Sequence, residues 1–276
     1  MAPTPEPGIE PSVQGVAPLL TDVPAYLINL EGSDDRLTAA RAHLGAVGLT
    51  FQRVPAFDGR KLRLSEFPDY DAAAAYAYMG RPLRGGEIGC YLSHLDCARR
   101  FLATGRPIGL VMEDDIRLMP AAAKVLPQIV AWLGTQPDDW DMVNLGPAKH
   151  KMFTPVQDFD ADGQSVAMTR AHYFPMSATA ILWSRRGAQS FVSGHRRIFA
   201  PLDNYYRHWM TRTDRGLAVW PPIVGVTGVL SDIAPLTAGN RSSEGRHPLY
   251  GLIKQRRLLT YKALAWLHRA AYRRHR

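Results

Sequence analysis

Three acids stand together at Glu113-Asp114-Asp115, directly after the apolar run Ile108-Gly109-Leu110-Val111-Met112. Adjacent carboxylates repel one another and lose hydration at the end of a buried strand, so something positive is expected to offset them. A divalent cation does this well. Carboxylate oxygens suit Mg2+ or Mn2+, which keep several waters and complete their shell on substrate phosphates. The ordinary alternative is a solvated turn whose acids begin the next helix. In an extended chain alternate residues share a face, so Glu113 and Asp115 are expected to project together and Asp114 to the other side. The expected direct metal ligand is Asp115, with Glu113 on the metal through water or on the bound substrate, and Asp114 beside it.

The elements around this triplet are legible from periodicity. Ala25-Tyr26-Leu27-Ile28-Asn29-Leu30 reads as a buried strand ending in polar residues. A helix through Leu37, Ala40 and Leu44 follows, stopped near Gly45 or Gly48, before an extended pattern from Thr50 to Val54. That is a β-α-β unit and implies a parallel pair. Asp58 to Gly86 reads as a loop-rich insertion with a short helix. A helix from Glu87 to Leu102 feeds the strand that ends in the acids, and further strands are expected at 140–146, 178–183 and 218–223. The alternation predicts an α/β domain with a mostly parallel, two-sided sheet, and ligands gather beyond the carboxyl ends of such strands.

On their own chemistry the other candidates are two-sided. Glu87 and His94 share a helical face at a spacing of seven, and Ser93 and His94 interrupt an apolar stripe. Arg36 reads as a surface salt bridge with Asp34 or Asp35, and Asp58 before Gly59 is a turn residue by type.

A resemblance reorders these alternatives. The strings Tyr26-Leu27-Ile28-Asn29-Leu30 with Arg36, Val54-Pro55-Ala56-Phe57-Asp58-Gly59, Gly86-Glu87-Ile88-Gly89-Cys90-Tyr91-Leu92-Ser93-His94 and Val111-Met112-Glu113-Asp114-Asp115 occur in an order that resembles the glycosyltransferase family of lipooligosaccharide biosynthesis, which includes bacterial galactosyltransferases and procollagen galactosyltransferases. It runs from about Ala25 to Asp232. The resemblance implies a GT-A type fold, a UDP-sugar donor carrying galactose or glucose, Mn2+ or Mg2+ at the acidic motif, and inversion at the anomeric carbon. It places Asn29, Arg36, Asp58, Glu87, Ser93, His94, Glu113 and Asp114 at the donor. Asp203 is the expected base for the acceptor hydroxyl, with Asp232 the second choice, and Arg241 is expected to neutralise the diphosphate.

The chain of 276 residues has a net charge of +8 with only two cysteines, Cys90 and Cys97. That pair is too few for a disulfide framework. From Tyr250 onward there is no acid, while Lys254, Arg256, Arg257, Lys262, Arg269, Arg273, Arg274 and Arg276 are basic, so the excess sits in the tail. Residues 1–24 are expected to be a disordered leader, 25–236 the glycosyltransferase domain and 237–276 a basic tail. No run reaches the ~18 apolar residues of a membrane span. Leu259, Ala263, Trp266, Leu267 and Ala270 form one helical stripe beside Lys262, Arg269, Arg273 and Arg276, which predicts an amphipathic helix on an anionic membrane surface. The expected setting is the cytoplasmic face of a bacterial inner membrane, with a glycan or lipid-linked acceptor. Two other functions compete: a nucleic-acid-binding module, from aromatics interleaved with arginines between Tyr205 and Arg215, and a metal-dependent phosphoryl or nucleotidyl transferase.

Overall fold

The structure, a computed structural model, describes residues 20–136, 138–194, 197–227 and 245–274. Asp232 and Arg241 lie outside the described residues, as does most of the expected leader.

Strand β1 (Ala25–Asn29), helix α1 (Asp34–Gly45) and strand β2 (Gln52–Pro55) form the expected parallel β-α-β unit. Two short 3-10 turns and helix α2 (Ala72–Met79) lead to α3 (Gly85–Ala103) and then β3 (Ile108–Glu113). After β4 (Ile116–Leu118) and α4 (Ala122–Gly134) come β5 (Met142–Asn144), β6 (Lys151–Ala161), β7 (Gln164–Tyr173) and β8 (Ala180–Ser184). Helices α5 (Arg185–Gly194) and α6 (Leu202–Thr213), strands β9 (Gly216–Trp220) and β10 (Val224–Val226), and helix α7 (Tyr250–Arg274) complete the chain.

Eight strands form one sheet in the order β2-β1-β3-β8-β5-β9-β7-β6, and β4 pairs with β10 beside it. The pairings β1-β2, β1-β3 and β5-β9 are parallel, while β8 runs against β3 and β5, β7 against β9, and β6 against β7. Only β8 and β7 are therefore reversed, and the sheet is mostly parallel with an antiparallel flank.

Both faces are covered, and the alternation of each strand divides its side chains between them. Ala25 and Leu27 of β1 and Leu110 and Met112 of β3 pack toward α1 and α4, while Tyr26, Ile28 and Val111 pack toward α3, α5 and α6. This parity decides the site, because Glu113 continues the Val111 side and faces α3. The antiparallel flank is where sequence patterning says least. Its hairpin turns at Asp162-Gly163, with φ of 54° and 83°, and Asp-Gly is a strong hairpin signal because both central residues of the tight turn need positive φ.

The aromatics of α6 belong to the core. Tyr206 is buried, and Tyr205, Tyr206 and Trp209 pack with Trp183 and Phe191. Helix α7 docks on α2, α6 and β7 through Tyr261 and Ala265. Its Leu252, Leu259, Trp266 and Leu267 remain more than half exposed, at 67%, 61%, 63% and 56%. Among the described residues no helix is long and apolar enough to cross a membrane.

Candidate active site

Strand β3 ends at Glu113, the chain turns at Asp114-Asp115, and β4 begins at Ile116. The Asp114 side chain turns to the α1 side, toward Asn29 and Arg36, while Glu113 faces α3. All three acids line one cavity at the carboxyl ends of β1 and β3, together with Arg36, Phe57, Asp58, Arg60, Cys90, Ser93 and His94.

The two aspartates differ in their surroundings. Asp114 is buried, accepting a hydrogen bond from Asn29 Nδ2 at 2.7 Å and pairing with Arg36 Nη1 at 3.3 Å. Asn29 in turn donates to Ser33 O at 3.0 Å and accepts from Arg53 Nε at 2.9 Å. It lies beneath the cavity as a brace for Asp114, and Arg36 spans brace and cavity. Asp115 has a buried Oδ1 with no hydrogen-bond partner, and burial, then the charges of Glu113 and Asp114, push its carboxyl up to about 6. An unpaired carboxylate oxygen with raised proton affinity is the arrangement a divalent cation relieves, so the residues present fit Mg2+ or Mn2+.

The opposite wall is α3, docked on the 57–60 loop through backbone. A Cβ on Gly59 would come within 2.1 Å of Gly85 O, and one on Gly89 within 2.3 Å of Phe57 O. Only hydrogen at these positions lets loop and helix touch. Ser93 bolts the contact, with Oγ accepting from Phe57 N at 2.8 Å and donating to Gly89 O at 2.8 Å. Asp58 caps the turn that follows. Its carboxyl is held at about 2, chiefly by the Arg60 side chain at 2.7 Å. His94 is fully buried, its Nδ1 3.5 Å from the Tyr206 hydroxyl and its Nε2 3.5 Å from Glu113 Oε1. Burial alone would raise the Glu113 carboxyl, but the His94 ring and the Cys90 thiol outweigh it and leave it below its usual range.

A second cavity lies behind Cys90 and Glu113, which it shares with the first, and is lined also by Glu87, Ser177, Thr179 and Asp203. Glu87 sits here and not in the first cavity. Its carboxylate accepts from Arg84 N at 2.9 Å at the start of α3 and pairs with Arg81 at 2.6 Å. Asp203, in the first turn of α6, accepts from Asn204 N at 2.7 Å, and burial raises its carboxyl despite that bond.

Six of the sequence-predicted residues therefore line the first cavity beside Asp115: Arg36, Asp58, Ser93, His94, Glu113 and Asp114. Sequence reasoning passed over Cys90 and Arg60. The available signal for Cys90 was its position four residues before His94, which puts both on one helical face.

A family profile described as "Glycosyltransferase family 25 (LPS biosynthesis protein)" matches residues 22–203. Procollagen galactosyltransferase 1 of Danio rerio is 25% identical over 82% of this chain and 41% of its own length. A "probable inactive glycosyltransferase 25 family member 3" of Rattus norvegicus is 26% identical over 79% of this chain and 40% of its own. A glycosyltransferase 25 family member of Anopheles gambiae is 37% identical over 34% of this chain and 17% of its own. The chain thus spans less than half the length of each. A solved glycosyltransferase involved in glycosylation of the PBCV-1 major capsid covers 75% of this chain and 94% of its own at 8% identity, with a TM-score of 0.38.

Proposed function

Because the chain belongs to glycosyltransferase family 25, we propose that it is an active, metal-dependent hexosyltransferase, moving galactose or glucose from a UDP-sugar to a lipopolysaccharide, lipooligosaccharide or other glycan acceptor with inversion. Membership alone does not assign turnover, since the Rattus norvegicus relative is described as a "probable inactive" member. The observation that carries the reading is the unpartnered, buried carboxylate oxygen of Asp115 in a cavity that also presents Arg36 and Arg60.

In this reading the first cavity takes the nucleotide sugar. Arg36 and Arg60 face its diphosphate, the kind of anion that guanidinium groups bind through paired hydrogen bonds. Asp115, with Glu113, would hold Mn2+ or Mg2+, which when bound supplies charge neutralisation for a departing diphosphate. Asn29 and Arg36 fix Asp114 and so fix the turn. The acceptor enters from the second cavity, where Asp203 stands. Its hydroxyl oxygen forms the new bond to the anomeric carbon as the bond to the diphosphate breaks, and the proton passes to the Asp203 carboxylate. Burial raises the proton affinity of that group, the direction a general base needs. Asp232 remains the second choice for the base, and Arg241 a further diphosphate contact.

The exposed stripe on α7 supports the membrane part of the reading. Docking through Tyr261 and Ala265 leaves Leu259 and Trp266 outward with exposed Lys262 and Arg273 beside them, the pattern of a helix lying in an anionic lipid surface. We place the enzyme peripherally on the inner face of the cytoplasmic membrane, near a lipid-linked acceptor.

The test is incubation of the purified protein and Mn2+ with a panel of nucleotide sugars, following nucleotide release with and without glycan acceptors. The expected result is release that depends on one UDP-hexose and stops with chelator. No release from any donor, or release unchanged after exhaustive chelation, overturns the reading.

A further inference from the structure

The wall between the two cavities holds three side chains that the proposed reaction does not explain together. Cys90 and His94 are one turn apart on α3, and Glu113 meets them from β3. Glu113 Oε1 lies 3.6 Å from Cys90 Sγ and 3.5 Å from His94 Nε2, and all three ligand atoms are within 4.8 Å of one another. Zinc bonds of about 2.0–2.3 Å in tetrahedral geometry require ligand separations of roughly 3.3–3.8 Å. Two edges of such a tetrahedron are already formed.

His94 supplies an independent sign. Its ring is fully buried, yet Nε2 has no hydrogen-bond partner and points at the Glu113 carboxylate. The Tyr206 hydroxyl beside Nδ1 orients the ring, as the partners of metal-bound imidazoles do. From these contacts we infer that Cys90, His94 and Glu113 form a site for a soft divalent ion, Zn2+, which shares Glu113 with the oxygen site at Asp115.

The chemistry separates the two sites. Thiolate and imidazole favour zinc, whereas carboxylate and water oxygens favour magnesium and manganese. Binding exchanges the Cys90 thiol proton, released to solvent, for the ion. Thiolate and carboxylate then balance its double charge, with His94 neutral. The first cavity borders all three residues and the second borders Cys90 and Glu113, which leaves a fourth position open to water. The ion would engage Glu113 at the junction of the two cavities, so zinc inhibits transfer. That last consequence rests on the proposed function, while binding does not.

Cobalt titration of the full chain, with excess Mg2+ present to fill oxygen sites, tests binding without turnover. The expected result is one Co2+ with a near-ultraviolet thiolate-to-cobalt charge-transfer band, displaced by Zn2+ and not by more Mg2+. Cys90→Ser should abolish the band and weaken binding by roughly 100-fold, at least the upper end of what losing an outer partner costs. Cys97→Ser and Asp115→Asn should keep it, and circular dichroism of each variant reports folding. Absence of the band in the wild-type protein overturns the inference, as does a band that survives Cys90→Ser or one lost with Asp115→Asn in a folded protein. Donor turnover measured with Mn2+ on protein free of cobalt and zinc separates the readings: cobalt binding by a protein that without cobalt turns over no donor retires the transferase and keeps the zinc site.

Discussion

Asp114 and Asp115 share a turn and a residue type, yet one belongs to the scaffold and the other to the ligand. Asp114 lies where β1 ends and α1 begins, and Asn29 and Arg36 meet its two oxygens. Asp115, one residue on, has a buried oxygen with no hydrogen-bond partner and a carboxyl raised to about 6. A carboxylate the protein satisfies contributes to folding, and one it leaves unsatisfied is held ready for a cation at some expense of stability. The same contrast separates Glu87, engaged with Arg81 and Arg84, from Asp203, buried and hydrogen-bonded to its chain neighbour Asn204.

The largest effect should come from Asp115→Asn. Loss of several kcal/mol of transition-state stabilisation corresponds to a fall in transfer of about 10³-fold or more. The melting temperature should hold or rise, because an uncompensated buried charge is removed. Asp114→Asn inverts the pattern: it weakens the Arg36 and Asn29 contacts and should cost about 1–3 kcal/mol in denaturant unfolding. If both variants melt alike and lose activity alike, the division between scaffold and ligand is wrong.

Asp203→Asn should reduce turnover by about 100-fold while leaving affinity for an unreactive donor analogue unchanged, since it acts on the acceptor proton. Calorimetry beside steady-state kinetics separates the two. Equal loss of donor binding would move Asp203 into the donor pocket and promote Asp232.

The parallel half of the fold was legible because each element carries its own period: the buried run Ala25–Asn29, the Leu37-Ala40-Leu44 stripe, and the Ile88, Tyr91, Leu95 face of α3. What escaped was set by tertiary contact. The glycines of the Gly85–Gly89 stretch read as a family string, but their physical reason is the 57–60 loop pressed onto the helix backbone, which no local pattern encodes. Helix α7 was expected as a tail, and its amphipathic stripe was found, but docking by Tyr261 and Ala265 depends on α2 and α6 far away in sequence.

That docking allows a smaller test at the other end of the molecule. Lys262→Gln with Arg273→Gln removes two exposed charges, each contributing on the order of 1 kcal/mol near an anionic leaflet. Co-sedimentation with anionic vesicles at low salt should weaken about 30-fold, and Trp266→Ser should weaken it further by removing exposed apolar surface. Neutral vesicles should show little difference. Binding that ignores lipid charge and both variants would remove α7 from the membrane reading while leaving the active site untouched.

The smallest expected effect concerns the seat of α7. His208 of α6 bonds to the Tyr261 hydroxyl and packs edge-on against Tyr78, Phe199 and Tyr261. Burial, with the charge of Arg212 second, lowers its pKa to about 4 from the ordinary 6.5. The folded chain therefore holds a neutral imidazole, while the unfolded chain protonates near 6.5. The sign follows: stability is fully present above pH 6.5 and is lost as pH falls through that value toward 4, because the unfolded state takes up the proton first. His150 is lowered to about 4 by burial as well, so the wild-type curve contains both. The difference between wild type and His208→Gln isolates the residue under α7. Thermal melts between pH 7 and 4 should fall more steeply for the wild-type protein, and the two curves should converge as pH drops. Parallel curves over that range would mean that His208 is not kept neutral by the helix packed above it, and that α7 sits more loosely than its contacts indicate.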